Sequence, residues 1–245
     1  GLPKRDLKAF AASLDLVSRT GSRFELEDEL LLQIANWTDD DARAVRENLL
    51  SYIRKQMLPE NAYRFLQREN IVAIISGSPS EESLFPCPSD LMSPENAIVR
   101  EASKSLATRL AAGDTHVCLH GGPGSGKTTV LQQLEALLPT NSTVVTFDCY
   151  GAGRYLDASR KRHLSSDAFR QISNDIAVHL SLPLFLTRDE GSNARTFVKR
   201  LRTAAGTLSA LDSSSLLVLA IDAADNSITA AHHFRERSFV EDLVT

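Results

Sequence analysis

The chain has 245 residues, 42% of them hydrophobic and 24% charged, with a formal net charge of -4. That is the composition of a globular chain long enough for one or two domains. The charge gives no basis for a general nucleic-acid or membrane surface, and no run reaches the ~18 apolar residues of a membrane span. The three cysteines, Cys87, Cys118 and Cys149, lack metal-site spacing. Cys118 falls in an apolar run and reads as a small core residue, which fits a reducing, cytoplasmic setting. No signal peptide is visible. The chain starts at Gly1 without an initiator methionine and stops at Thr245 shortly after an acidic strand end, so an excerpt of a longer protein is expected.

Residues 1–75 read as a small helical domain. Leu7, Phe10, Leu14 and Val17 allow a first helix. Leu26, Leu30, Ile34 and Trp37 form a clearer stripe. Val45, Leu49, Ile53 and Met57 follow Asp40 at helical spacing, and Pro59 ends that helix. Tyr63, Leu66 and the run Ile71–Ile75 suggest more helix. Basic and acidic residues nearly balance, and the Glu25–Glu29 cluster reads as a solvated helix start. Residues 76–93, rich in Ser and Pro, read as a linker in which Leu84-Phe85-Pro86 could pack across a domain surface. Ser93-Pro94-Glu95 has the form of a helix start, with Ile98, Val99, Ala102, Leu106 and Leu110 on one side of the helix and Gly113 at its end.

The next stretch, HVCLHGGPGSGKTTV over 116–130, reads as a short strand, a glycine-rich loop and a helix start. Gly121, Gly126, Lys127 and Thr128 match G-x-x-x-x-G-K-[ST], the phosphate-binding P-loop. A polyphosphate must be surrounded by inward-pointing backbone N–H groups, so Gly122, Gly124 and Gly126 keep the wall bare. Gly121, Gly122, Pro123, Gly124, Ser125, Gly126, Lys127, Thr128 and Thr129 are therefore the candidate nucleotide-binding residues. Lys127 supplies a cation for the β- and γ-phosphates, and the Thr128 hydroxyl is placed for Mg²⁺. A glycine-rich turn that binds nothing would not need all eight positions between a strand-like and an amphipathic run.

Thr143–Phe147 is a buried strand ending at Asp148. The polar segment 149–166 holds Arg154 and the basic group Arg160-Lys161-Arg162-His163, which reads as a solvated loop or as a contact to nucleotide or a neighbouring subunit. Ala168, Phe169, Ile172, Ile176 and Leu180 form a helical stripe ended by Pro183. Phe197, Val198, Leu201, Ala205 and Leu208 form another. Leu216–Ile221 is an apolar strand running into Asp222-Ala223-Ala224-Asp225-Asn226. Strands alternating with amphipathic helices predict a parallel α/β sheet covered on both faces, a P-loop NTPase architecture over 94–245. An apolar strand ending in an acid has the Walker B form, and Asp222 would hold Mg²⁺ opposite Thr128, about ninety residues away. Asp225 is the candidate to orient or deprotonate the attacking water, on a loop facing the γ-phosphate; its competing reading is a turn-forming aspartate. His232-His233 has no third ligand nearby and reads as surface.

The strand end with its D-A-A-D-N sequence resembles the NACHT-like branch of the STAND NTPases, whose pattern is D-[GAS]-h-D-E. The order of GGPGSGKTTVLQQL, TVVTFDCYG, the Phe169–Leu180 helix and Arg237-Ser238-Phe239-Val240 extends the resemblance over about 94–245. The departure is Asn226, where an acid is usual, which puts fast turnover in doubt. Ile98-Val99-Arg100-Glu101 is partly similar to an element used near the adenine, without its glycine; an exposed helix face is the simpler reading. The resemblance implies an ATP- and Mg²⁺-dependent signalling switch that self-associates, with effector and sensor domains outside this chain, often in antiviral defence. It makes residues 1–75 similar to the connector between effector and ATPase.

It also implies a later sensor strand between the P-loop strand and the Walker B strand. Without that strand, either the sheet closes poorly or His116–His120 pairs directly with Leu216–Ile221, and weak ATP binding with poor hydrolysis is expected. Two other functions stand beside the switch. One is a small-molecule P-loop kinase, with Arg160–His163 in a substrate lid. The other is a nucleotide-sensing scaffold that does not hydrolyse, consistent with Asn226. The trigger, effector, oligomeric state and ATP-versus-GTP preference are not legible.

Overall fold

A computed structural model describes residues 39–58, 67–76, 81–92, 97–182, 184–185 and 193–244. The stripes expected within residues 1–38, Tyr63, Leu66, the Ser93-Pro94-Glu95 helix start and Pro183 lie outside these described residues. Helix α1 is Asp39–Gln56 and α2 is Arg68–Ser76. They pack on each other, with Val45 buried and Leu49 and Ile53 half-buried, whereas Met57, expected in the same stripe, lies past the helix end and is exposed.

The stretch read as a linker includes a seated strap. A 3-10 turn at Glu81–Leu84 leads into residues 85–92. Leu84 and Cys87 are buried, the latter in the main apolar cluster. The buried Asn174 donates to the Leu84 carbonyl, and Gln171 accepts the Cys87 N–H at 2.8 Å. The strap's backbone groups are thereby paired by side chains rather than by a strand.

Helix α3 is Glu101–Ala111, α4 is Lys127–Gln133, α5 is Ser165–Leu180, α6 is Asn193–Leu211, α7 is Ala224–Phe234 and α8 is Phe239–Val244. Strands β1, Thr143–Asp148, and β2, Leu217–Asp222, pair in parallel from Thr143↔Leu217 to Asp148↔Asp222. The sheet has two faces, and side chains alternate between them with period two. Val145, Phe147 and Cys149, with Leu217, Leu219 and Ile221, join the cluster built by Phe169, Ile172, Ile176, Phe197 and Phe239. Val144, Val218 and Ala220 join Leu106, Val130, Leu134 and Leu138 on the other face. Helices thus cover both faces of a parallel sheet, the predicted α/β P-loop architecture.

Several local expectations are corrected. Residues 116–120 form no ladder: β1 and β2 are the strands paired among the described residues. The poorly closed sheet is therefore the observed alternative, and direct pairing of His116–His120 with β2 is not. Val117 and Leu119 pack against the second cluster, while Cys118 is exposed rather than in the core. Burial alternates along this segment, and Cys118 falls on the outer phase between Val117 and Leu119. Helix α3 starts at Glu101, with Arg100 extended as its N-cap, so Ile98 and Val99 precede the helix and are exposed. On α6 the buried phase is Phe197, Ala204 and Leu208, and Val198 and Ala205 face outward.

Candidate nucleotide site

The glycine-rich loop turns because two of its residues take left-handed backbone, Gly124 at φ 70° and Gly126 at φ 83°. Side chains rarely adopt such angles, so these positions need glycine. Gly121, Gly122, Pro123, Gly124 and Ser125 are exposed; Gly126, Lys127, Thr128 and Thr129 are half-buried as the loop enters α4. The Lys127 ammonium donates to the Gly121 and Gly122 carbonyls at 2.8 and 3.0 Å. It is thereby held over the loop it follows.

The P-loop and the end of β2 meet. Thr128 Oγ1 donates to Asp222 Oδ2 over 2.9 Å. Residues 94 positions apart in the chain thus share one hydrogen bond, which is the juxtaposition the two sequence motifs predict. Burial raises the Asp222 pKa above the ordinary carboxylate value, the Asp148 charge beside it adds to the rise, and the Thr128 bond opposes it.

Asp148 and Asp222 are register partners, yet they differ in surroundings. Asp148 accepts the N–H groups of Asp90, Tyr150 and Gly151 at 3.1, 2.9 and 2.9 Å. Arg162 Nη1 donates to the Asp148 carbonyl at 2.8 Å, and Nη2 donates to the Pro88 carbonyl and to Asp90 Oδ2 at 2.8 and 2.9 Å. Asp148 is fully engaged in fixing the strap and the following turn, which leaves Asp222 as the strand-end carboxylate that meets the P-loop, with the Thr128 hydroxyl and the Ala223 N–H as partners.

The basic group 160–163 is not a solvated loop. Arg162 and His163 are buried, and Lys161 is half-buried. Lys161 Nζ and His163 Nε2 both bond the Glu236 carboxylate, at 2.5 and 2.6 Å, and the His163 ring stacks on Phe234. Arg160 alone of the four stays exposed. Arg162 and His163 are accommodated inside because each meets fixed polar partners.

Asp225 does not lie on a loop. Ala223 takes left-handed backbone, φ 54°, and starts α7, so Asp225 is in that helix's first turn and exposed. His232 and His233, in its last turn, are exposed as expected. Asp90 had no role in the sequence reading, Arg100 was read only in an element near the adenine or on an exposed helix face, and Arg162 only as a solvated, nucleotide-contact, subunit-contact or lid residue. For Asp148 the legible signal was that β1, like β2, ends in an aspartate.

Among the described residues no group of three or more His, Cys, Asp or Glu could hold a metal. Mg²⁺ does not need one, since it keeps several waters and takes one or two protein oxygens. The Thr128 hydroxyl and the Asp222 carboxylate fit that donor set. No described helix is long and apolar enough to cross a membrane.

No curated protein matches this chain. Residues 96–178, about a third of the chain, match the family model for magnesium chelatase, subunit ChlI. That family is of the AAA+ P-loop NTPase type, and the match contains the loop, α4 and β1. The chain is similar over this stretch to a nucleotide-binding P-loop NTPase, in agreement with its fold.

Proposed function

We propose that residues 94–245 form the ATP-binding part of a signalling switch of the STAND type, NACHT-like branch, and that residues 1–75 serve as its helical connector. The observation that carries the nucleotide reading is the 2.9 Å bond between Thr128 and Asp222, which joins the two halves of the motif. Backbone N–H groups of 121–128 would face the phosphates, and Lys127 would turn its ammonium from the Gly121 and Gly122 carbonyls toward the β- and γ-phosphates. Thr128 and Asp222 would hold Mg²⁺, which when bound neutralises phosphate charge. Asp225 is the residue to position water for γ-phosphate release. Its exposed place at the start of α7 and the neighbouring Asn226 both favour slow turnover.

The kinase alternative invoked direct pairing of 116–120 with β2, and no such pairing is present among the described residues. The antiviral setting, self-association and outside effector domains rest on the family resemblance alone. Titration with a fluorescent ATP analogue, with and without Mg²⁺, tests the site. Binding that Mg²⁺ strengthens and Asp222→Ala weakens supports it. No binding at millimolar nucleotide overturns it. Nucleotide-dependent change in sedimentation of the longest expressible chain tests the switch.

A further inference from the structure

The segment entering α3 grips the P-loop from outside. Arg100 Nη1 donates to the Ser125 carbonyl over 2.5 Å. The guanidinium also lies on Gly126, where an added Cβ would sit 2.5 Å from Nη1. Gln133 on α4 holds the backbone that presents Arg100. Its Oε1 accepts the Arg100 N–H at 3.3 Å and the Ser103 hydroxyl at 2.6 Å, and its Nε2 donates to the Ile98 carbonyl at 2.9 Å.

We infer that Arg100 is a positioning residue for the phosphate loop, acting on the Ser125–Gly126 peptide plane. The inference rests on the nucleotide reading of the site. A trans peptide is planar, and its C=O and N–H point in opposite directions. Fixing the Ser125 carbonyl toward Arg100 therefore turns the Gly126 N–H away from Arg100. That N–H donates to no backbone or side-chain acceptor among the described residues. The next carbonyl, that of Gly126, is committed to the Val130 N–H at 3.0 Å. The peptide planes on both sides of Gly126 are thus held, at a residue that sits at φ 83° and has no Cβ to limit its rotation. An amide already aimed at an anion binds it without first losing that freedom. Arg100 is exposed and contributes little to the core, so its grip on one carbonyl serves the loop rather than the fold.

The test compares Arg100→Ala and Arg100→Lys with the unsubstituted chain, using ATP and inorganic tripolyphosphate as probes and the ¹⁵N–¹H resonance of Gly126 as a ligand-free readout. Arg100→Ala is expected to weaken both probes by the same factor, about tenfold, with little dependence on salt. It is also expected to shift the Gly126 amide and leave the melting temperature nearly unchanged. Arg100→Lys, which can still donate to the carbonyl, recovers most of the loss. Loss for ATP with tripolyphosphate unaffected would mean direct contact with the nucleoside and overturn the inference. So would a steeply salt-dependent loss with the Gly126 amide unmoved, which is the signature of charge acting on phosphate. No loss at all overturns it too. If the unsubstituted chain binds neither probe, the site reading fails, while an unmoved Gly126 amide in Arg100→Ala refutes the peptide-plane claim separately.

Discussion

Asp148 and Asp222 end neighbouring parallel strands at the same register position, and their carboxylates have opposite tasks. Asp148 takes three backbone N–H groups and supports Arg162, whereas Asp222 has the Thr128 hydroxyl and a pKa raised by burial. Asp148→Asn is expected to cost about 2–4 kcal/mol, because an amide NH₂ would face donors. Asp222→Asn is expected to raise the urea midpoint at neutral pH. The sign follows from the direction of the shift: a folded pKa above the unfolded one means the ionised group opposes folding. That opposition is present above the raised pKa and fades as pH falls through it toward the ordinary carboxylate value. The gain from Asp222→Asn should fade over the same range. Urea titrations of both variants at several pH values check the pair.

Lys127→Ala should strongly weaken nucleotide binding while leaving the domain folded. Among the described residues the ammonium hydrogen-bonds the two loop carbonyls of Gly121 and Gly122, at a half-buried position. Losing it costs little stability, but it removes the only lysine of the motif. An affinity loss of about 100-fold is expected, from a charge-assisted bond to phosphate. Calorimetric titration with Mg²⁺ and ATP, beside a circular-dichroism melt, separates the two effects. Retained affinity would count against the site.

Arg162→Met should be among the most destabilising single changes in the described residues. Arg162 is 2% exposed and donates to the Cys87, Pro88 and Asp148 carbonyls and to Asp90, so its removal strands buried acceptors from both the strap and β1. Breaking a buried charged network of this kind costs about 3–5 kcal/mol. Equilibrium unfolding in urea measures it, and protease cleavage within 85–92 should accelerate as the strap loses its anchor.

How much of this was legible in the sequence depended on whether a signal was local. The P-loop was legible because a strand-like run, fixed glycines and Lys127-Thr128 all fall within fifteen residues, 116–130. The β2 strand and Asp222 were legible because six apolar residues end in an acid. The pairing of Asp148 with Asp222 was not, since register is a property of two strands brought together by α5 and α6. The burial of Arg162 and His163 was hidden for the same reason: a basic run looks solvated until Asp148, Asp90 and Glu236 arrive from elsewhere. The start of α3 was misplaced because Ser93-Pro94 is a strong local signal, while Gln133 bonds Ile98 and Arg100 ahead of the helix through contacts invisible to spacing.

The three cysteines should separate cleanly in a labelling experiment. Burial pushes the Cys87 thiol up to about 12, and it pushes Cys149 still higher, with the Asp148 and Asp222 charges adding to the effect. Cys118 is exposed on the segment before the P-loop. Under native conditions an alkylating reagent at pH 8 is expected to modify Cys118 alone, and all three once the chain is unfolded in urea. Peptide mapping reads the sites. Native modification of Cys149 would show that the strand end beside Asp222 opens.

The Lys161–Glu236–His163 clamp should govern the acid limb of stability. The bonds from Lys161 and then His163 hold the Glu236 carboxyl below its ordinary value. A folded pKa below the unfolded one means the ionised group supports folding. That support is complete above the unfolded pKa and is lost as pH falls through the folded one. Glu236→Gln should therefore lower the urea midpoint at neutral pH and leave it unchanged at pH values where Glu236 is already protonated. The effect reaches the site through α7, because Phe234 and Glu236 close the C-terminal end of the helix that starts at Ala223, beside Asp222. A midpoint that differs by the same amount at every pH would show that packing against Phe234, not the charge on Glu236, holds the basic segment in place.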